Sequence, residues 1–167
     1  MQSSAARRIV AFLIAFGLFG LDRWTKSLVE SGVGAYDTKT VIPGFFNIVR
    51  SENTGVAFGM FSDSSTQTHN VVLVALSLVA ILLLGGMLWR IDRLDTPSAA
   101  GLTLILGGAM GNVYDRVHAG RVTDFLDFFV GAWHWYTFNV ADSYICVGAG
   151  FLILSMLFSR NRKEVRA

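Results

Sequence analysis

The sequence predicts an all-α membrane protein built on four transmembrane helices. Three observations lead there. Hydrophobic residues make up 53% of the chain and charged residues 16%, against roughly 25% charged in soluble domains, and mean hydropathy is +0.50. A chain of 167 residues has too small an interior to absorb so much apolar surface, so lipid must take some of it. Four apolar stretches, 9–28, 71–89, 96–114 and 140–159, each approach the ~20 residues a helix needs to cross hydrocarbon. The formal net charge of +2 does not point to nucleic acid, and the single cysteine excludes an internal disulfide or a multi-cysteine metal site.

The first span follows Arg7 and Arg8, as a signal peptide would. No small-x-small cleavage site comes after it, and the run ends in Gly20-Leu21-Asp22-Arg23-Trp24, so a retained helix is expected. Residues 38–42 and 46–50 look strand-like and are separated by Pro43-Gly44, a turn signal. Residues 71–89 carry no charge and form the clearest span. In 96–114, Pro97 falls in the first helical turn, where its missing N–H is no loss. The last span, 140–159, leaves both termini on the same side. Arg7, Arg8, Arg90, Arg93, Arg160, Arg162, Lys163 and Arg166 lie on that side, eight of the 14 basic side chains in the chain. The positive-inside rule therefore places both termini and the 90–95 turn in the cytoplasm, with 22–70 and 115–139 outside. Phe45, Phe46, Phe128, Phe129, Trp133, Trp135, Tyr136 and Phe138 then crowd the outer interface, where an anchoring belt is expected. One domain covers 1–167, without internal repeats.

Polar residues at the ends of apolar helices are costly and are functional candidates by default. Here Asp22, Asn53, Asn112, Asp115, Arg116, Asp124, Asp127, Asn139 and Asp142 all fall at the outer end. Several have ordinary structural readings. Asp22 can pair with Lys26 at i,i+4. Asp115 can pair with Arg116 or Arg121. Asp127 is expected to face water. Asp142 can serve as the acid of a capping box begun by Asn139. Gly107 and Gly111 read as a helix-packing face, and Cys146 as a structural thiol. His69, His118 and His134 match no metal-ligand spacing. No Walker loop or G-x-S-x-G is present. A Ser–Lys dyad using Lys26 stays open, although no serine sits in a matching motif. The economical catalyst is a pair of aspartates, Asp124 and Asp142. Two neighbouring carboxyls share one proton, so one draws a proton from water while the other polarises a carbonyl. A transporter or channel subunit with an acidic relay, or a non-catalytic scaffold, would be the alternatives.

Five ordered segments carry a resemblance: Asp22-Arg23-Trp24-Thr25-Lys26; Glu52-Asn53-Thr54-Gly55-Val56-Ala57-Phe58; Gly107-Gly108-Ala109-Met110-Gly111-Asn112-Val113-Tyr114-Asp115-Arg116; Val122-Thr123-Asp124-Phe125; and Phe138-Asn139-Val140-Ala141-Asp142-Ser143. In order and spacing they resemble the signature segments of bacterial lipoprotein signal peptidases (signal peptidase II). That resemblance implies a four-helix membrane aspartic peptidase of the cell (inner) membrane, with a small extracytoplasmic β-cradle, matched here by residues 38–61, and an interfacial helix. It implies Asp124 and Asp142 as the catalytic dyad, supported by Asp22, Asn53, Gly55, Asn112, Arg116 and Asn139. The implied substrates are diacylglyceryl-modified prolipoproteins, cut on the N-terminal side of the lipidated cysteine. Membrane lipids and globomycin-type inhibitors are the other implied partners. A monomer without metal, cofactor or nucleic acid is expected. One departure is Arg23, where many members carry Gln.

Overall fold

The computed structural model describes residues 4–35, 37–55 and 66–164. Its elements run α1 (Ser4–Gly32), β1 (Thr38–Ile42), β2 (Phe46–Asn53), α2 (Thr66–Trp89), a 3₁₀ turn (Ile91–Arg93), α3 (Thr96–Ala119), β3 (Val122–Val130), β4 (Trp133–His134) and α4 (Val140–Glu164). Every predicted span lies within one of the four long helices. The expected interfacial helix is not among the described residues, and residues 56–61 of the strand-like run lie outside them.

Local chemistry sets the boundaries. Pro97 occupies the first turn of α3, and the Asp95 carboxylate accepts from Ser98 N–H at 3.1 Å as its N-cap. The same helix ends at Gly120, whose φ of 72° is left-handed and whose N–H donates to Arg116 O. At α4, Asn139 and Asp142 form a reciprocal capping box. Asp142 N–H donates to Asn139 Oδ1 (3.0 Å), and Asn139 N–H donates to Asp142 Oδ2 (3.2 Å).

α3 is the inner helix and packs against α1, α2 and α4. A core of Ala11, Ala15, Leu88, Ile91, Ala99, Leu102 and Leu106 joins α1, α2 and α3. Glycines let the backbones approach. A Cβ on Gly107 would lie 2.8 Å from Leu18 Cβ, and one on Gly148 would lie 2.6 Å from Gly101 O. Gly107 and Gly111 thus serve helix packing, as their spacing predicts. Gly148→Ala should force α3 and α4 apart and cost about 1–3 kcal/mol, measurable as a lowered unfolding temperature in detergent.

The outer surfaces of the helices are apolar. Leu82 is 75% exposed and Met156 73%. Ser4–Gly32, Asn70–Trp89 and Val140–Phe158 are each long and apolar enough to cross a membrane. This is a multi-pass membrane protein. The buried face of α3 mixes Ala99, Leu102 and Leu106 with Gly101, Thr103, Gly107, Gly108 and Gly111 and ends in Asp115. Cys146 is exposed on α4, so the structural thiol expected there is instead a surface thiol.

The sheet lies where α1 and α3 end and where α2 and α4 begin. Its order is β1-β2-β3-β4, all antiparallel. The Pro43-Gly44 turn joins β1 and β2 as predicted, with Gly44 at φ 76°. The nine-residue β3 was unexpected, since 115–139 reads as a connection. β3 pairs with β2 from Phe46↔Phe128 to Asn53↔Val122, with one irregularity between Ile48 and Ser51. Phe45 and Phe46 pack on Phe128, which stacks on Phe138. These phenylalanines therefore form a ladder on the sheet rather than a simple anchor. Trp133, Trp135 and Tyr136 stay exposed.

Candidate active site

Four chain segments deliver polar groups to one place. β3 brings Asp124, 3% exposed. The first turn of α4 brings Asp142, with Asn139 just before it. β2 ends in Asn53, and α3 contributes Asn112 and Arg116.

Asn139 is the residue common to both carboxylates. Its side-chain Nδ2 donates to Asp124 Oδ1 at 2.7 Å, while its backbone N–H donates to Asp142 Oδ2 at 3.2 Å. Because its Oδ1 accepts from Asp142 N–H, the amide is oriented with its NH₂ towards Asp124. Asn53 Nδ2 donates to Asp124 Oδ2 at 3.0 Å, and its own Oδ1 accepts from Gly55 N–H at 2.9 Å. Asn112 Nδ2 donates to Asp142 Oδ1 at 2.8 Å, and its Oδ1 accepts from Asn139 Nδ2 at 3.3 Å. Among the described residues Arg116 bonds no carboxylate directly. It donates to Gly55 O (3.0 Å) and Asn112 O (3.4 Å), from where its charge acts on Asp142, Asp124 and Asp115. Asp124, Asp142, Asn53, Gly55, Asn112, Arg116 and Asn139 are thus brought together.

Burial pushes the Asp124 carboxyl up to about 6. The Asn53 amide opposes this, the Asp142 charge adds to it, and Asn139 and Lys26 oppose it more weakly.

Asp22 holds the layer beneath. It is fully buried, pairs with Lys26 Nζ at 2.8 Å, and accepts from Ala141 N–H at 3.0 Å. Its pairing with Lys26 fits the i,i+4 reading, while the bond to Ala141 fixes the start of α4 as well. Lys26, expected from the sequence as a partner of Asp22 or as a dyad base, has wider links than the sequence reading gave it. Fully buried, it also pairs with Asp115 (2.7 Å) and donates to Asn112 Oδ1 (3.0 Å). A lysine in an otherwise apolar helix, one turn after an aspartate, was the available signal. Its engagement with two carboxylates leaves no role for it in a Ser–Lys dyad.

Two expectations need correction. Asp115 pairs with Arg23 and Lys26, not with Arg116 or Arg121, because its position on α3 faces α1. Arg121 reaches Glu52 instead (3.0 Å). The departure at Arg23 therefore supplies a counter-ion to a buried carboxylate. Asp127 does not face water. It is 6% exposed, accepts from Asn47 Nδ2 at 3.1 Å, and pairs with His134 Nδ1 at 2.8 Å. Strand alternation sends it to the face opposite Asp124. Asp127→Ala should leave Asn47 and His134 unpartnered and lower stability by about 1–3 kcal/mol, with cleavage intact in the folded fraction.

The sequence pattern of the signal peptidase II family matches residues 14–158. The chain belongs to that family. A lipoprotein signal peptidase of Solibacter usitatus is 52% identical over 147 residues, covering 88% of this chain and 90% of the relative. One from Oleidesulfovibrio alaskensis is 40% identical, covering 90% and 96%. A bacterial membrane enzyme solved by the in meso method at 2.3 Å superposes with a TM-score of 0.82 at 27% identity, covering 92% of this chain and 91% of that one. The signal peptidase II family is a family of proteases, and nothing in these likenesses supports a transporter.

Proposed function

We propose that the protein is a membrane aspartic endopeptidase. It removes the signal peptide from diacylglyceryl-modified prolipoproteins, cutting on the N-terminal side of the lipidated cysteine. In this reading residues 1–167 form one domain of the inner membrane with four spans, α3 included. Both termini are cytoplasmic and the sheet and site lie at the outer face. The acyl chains of the substrate stay in the bilayer, and a site at the outer helix ends meets the scissile bond there. A reporter fused after Ala167 should read as cytoplasmic. Globomycin-type peptides are the expected inhibitors, and the working unit is a monomer.

One observation carries the catalytic assignment: a single asparagine bonds both Asp124 and Asp142. The charge balance around them supports it. Arg23, Lys26 and Arg116 face Asp22, Asp115, Asp124 and Asp142 in one connected cluster. Glu30 also lies on Arg23, so carboxylates outnumber cations here, which favours a proton on one of them. Asp124 is the best holder, as its buried carboxyl titrates near 6. Each of its oxygens accepts one amide bond and keeps a second lone-pair position for that proton. Asp142 takes the anionic role in the first turn of α4, where it accepts from Asn139 N–H and the helix dipole favours negative charge.

The steps follow from that division. Asp142 takes a proton from water as the water oxygen attacks the scissile carbonyl carbon. Asp124 gives its proton to the carbonyl oxygen. As the tetrahedral intermediate collapses, Asp124 recovers its proton and Asp142 passes its own to the leaving nitrogen. Arg116 and the asparagines hold the carboxylates in place and do not themselves react.

Purified protein in detergent should cleave a diacylglyceryl-modified prolipoprotein and release the signal peptide. Failure with an authentic substrate and a folded enzyme would remove the assignment. Because Asp124 acts protonated, kcat/KM should fall as pH rises through about 6 in the free enzyme. Asn53→Ala removes a donor that favours ionised Asp124, so this limb should move to higher pH.

A further inference from the structure

We infer that the end of the bundle remote from the aspartates carries a binding site for one anionic phospholipid. A groove of 430 Å³ opens there between α1, the 3₁₀ turn and α3, within the roughly 300–1,000 Å³ typical of ligand clefts. Val10 and Ile14 line it from α1, and Ala100 and Leu104 line it from α3, making a trough suited to an acyl chain. Arg7 and Thr96, each at the start of its helix, supply a cation and a hydroxyl at the polar end.

Charge complementarity selects the occupant. The nearby acids are already committed. Asp92 pairs with Arg8 at 2.9 Å, while Asp95 accepts from Ser98 N–H at 3.1 Å and from the Ser155 hydroxyl at 2.6 Å. Among the described residues Arg7 is left without a carboxylate partner, and Arg90 and Arg93 are exposed on the adjoining turn. A phosphodiester with an attached acyl chain satisfies both the cation and the trough. A basic pocket between membrane helices is a known kind of headgroup site. A signal peptide is the poorer occupant, because its amino-terminal region is itself basic and Arg7 would repel it.

The test uses the full-length protein purified in detergent, with lipid retention read by native mass spectrometry. Phosphatidylglycerol and phosphatidylcholine with identical chains are compared, and inorganic phosphate is run in parallel. Phosphatidylglycerol should be retained with about a fivefold preference, the contribution of one basic side chain beside an anionic lipid. Arg7→Gln should abolish that preference, and Ala100→Phe should expel both lipids. Lys39→Gln, which removes the same charge from β1, should change nothing. Equal retention of the two lipids by the wild type would overturn the proposal. So would an undiminished preference in Arg7→Gln, phosphatidylglycerol bound as before by folded Ala100→Phe, or phosphate alone bound as well as the lipid.

Discussion

Asp124→Asn and Asp142→Asn should each reduce prolipoprotein cleavage by at least about 100-fold, the lower end of what a positioned acid or base contributes. Both variants should fold. Asn at 124 keeps an oxygen for the Asn139 or Asn53 amide. Asn at 142 keeps an acceptor for the Asn139 N–H and thus the cap of α4. Neither can complete the proton cycle, because an amide neither accepts a proton from water nor returns one at neutral pH. The measurement is single-turnover cleavage beside a thermal unfolding curve for the same preparation. A folded variant retaining more than about a tenth of wild-type turnover, a barrier deficit of only about 1.4 kcal/mol, would end the two-aspartate mechanism.

The second large effect is on stability. Lys26→Met should destabilise the protein by about 3–5 kcal/mol, the usual consequence of removing one partner from a buried ion pair. Met matches the length of Lys and preserves packing, so the loss isolates the charge. Without Nζ, Asp22 and Asp115 lose their shared counter-ion and Asn112 Oδ1 loses a donor. Arg23 still reaches Asp115, but among the described residues Asp22 keeps only the Ala141 N–H. Unfolding in detergent measures the loss. Restoring the cation with Arg should recover little, since a planar guanidinium does not fit a fully buried site built around a single nitrogen. An unfolding temperature for Lys26→Met equal to that of the wild type would show that the cluster contributes nothing to the fold.

Much of this was legible in the sequence, for identifiable reasons. The spans were readable because lipid demands long uncharged runs, and 71–89 has no charge at all. The first hairpin was readable because Pro43-Gly44 separates two β-rich runs. Asn139 and Asp142 were readable as a cap because the box is a local pattern. β3 was not, because Val122-Thr123-Asp124-Phe125-Leu126-Asp127 carries two acids and its pairing partner β2 lies some 75 residues earlier. The burial of Asp127 follows from that same distant pairing, through Asn47. Lys26 and Asp115 were visible as charges, but their meeting depends on which faces α1 and α3 turn to each other, which glycines decide only in three dimensions.

Asn139 has a consequence for how such a protein can change over generations. Active sites are often assembled from residues that the fold could do without, so stability can be gained by giving up activity. That exchange is closed here at the start of α4. The side chain that spaces the two aspartates also caps the first turn of the helix, and one of the aspartates is the reciprocal half of the same cap. Selection for heat resistance and selection for turnover therefore act on Asn139 in the same direction. A stabilised variant should carry its changes elsewhere in the bundle.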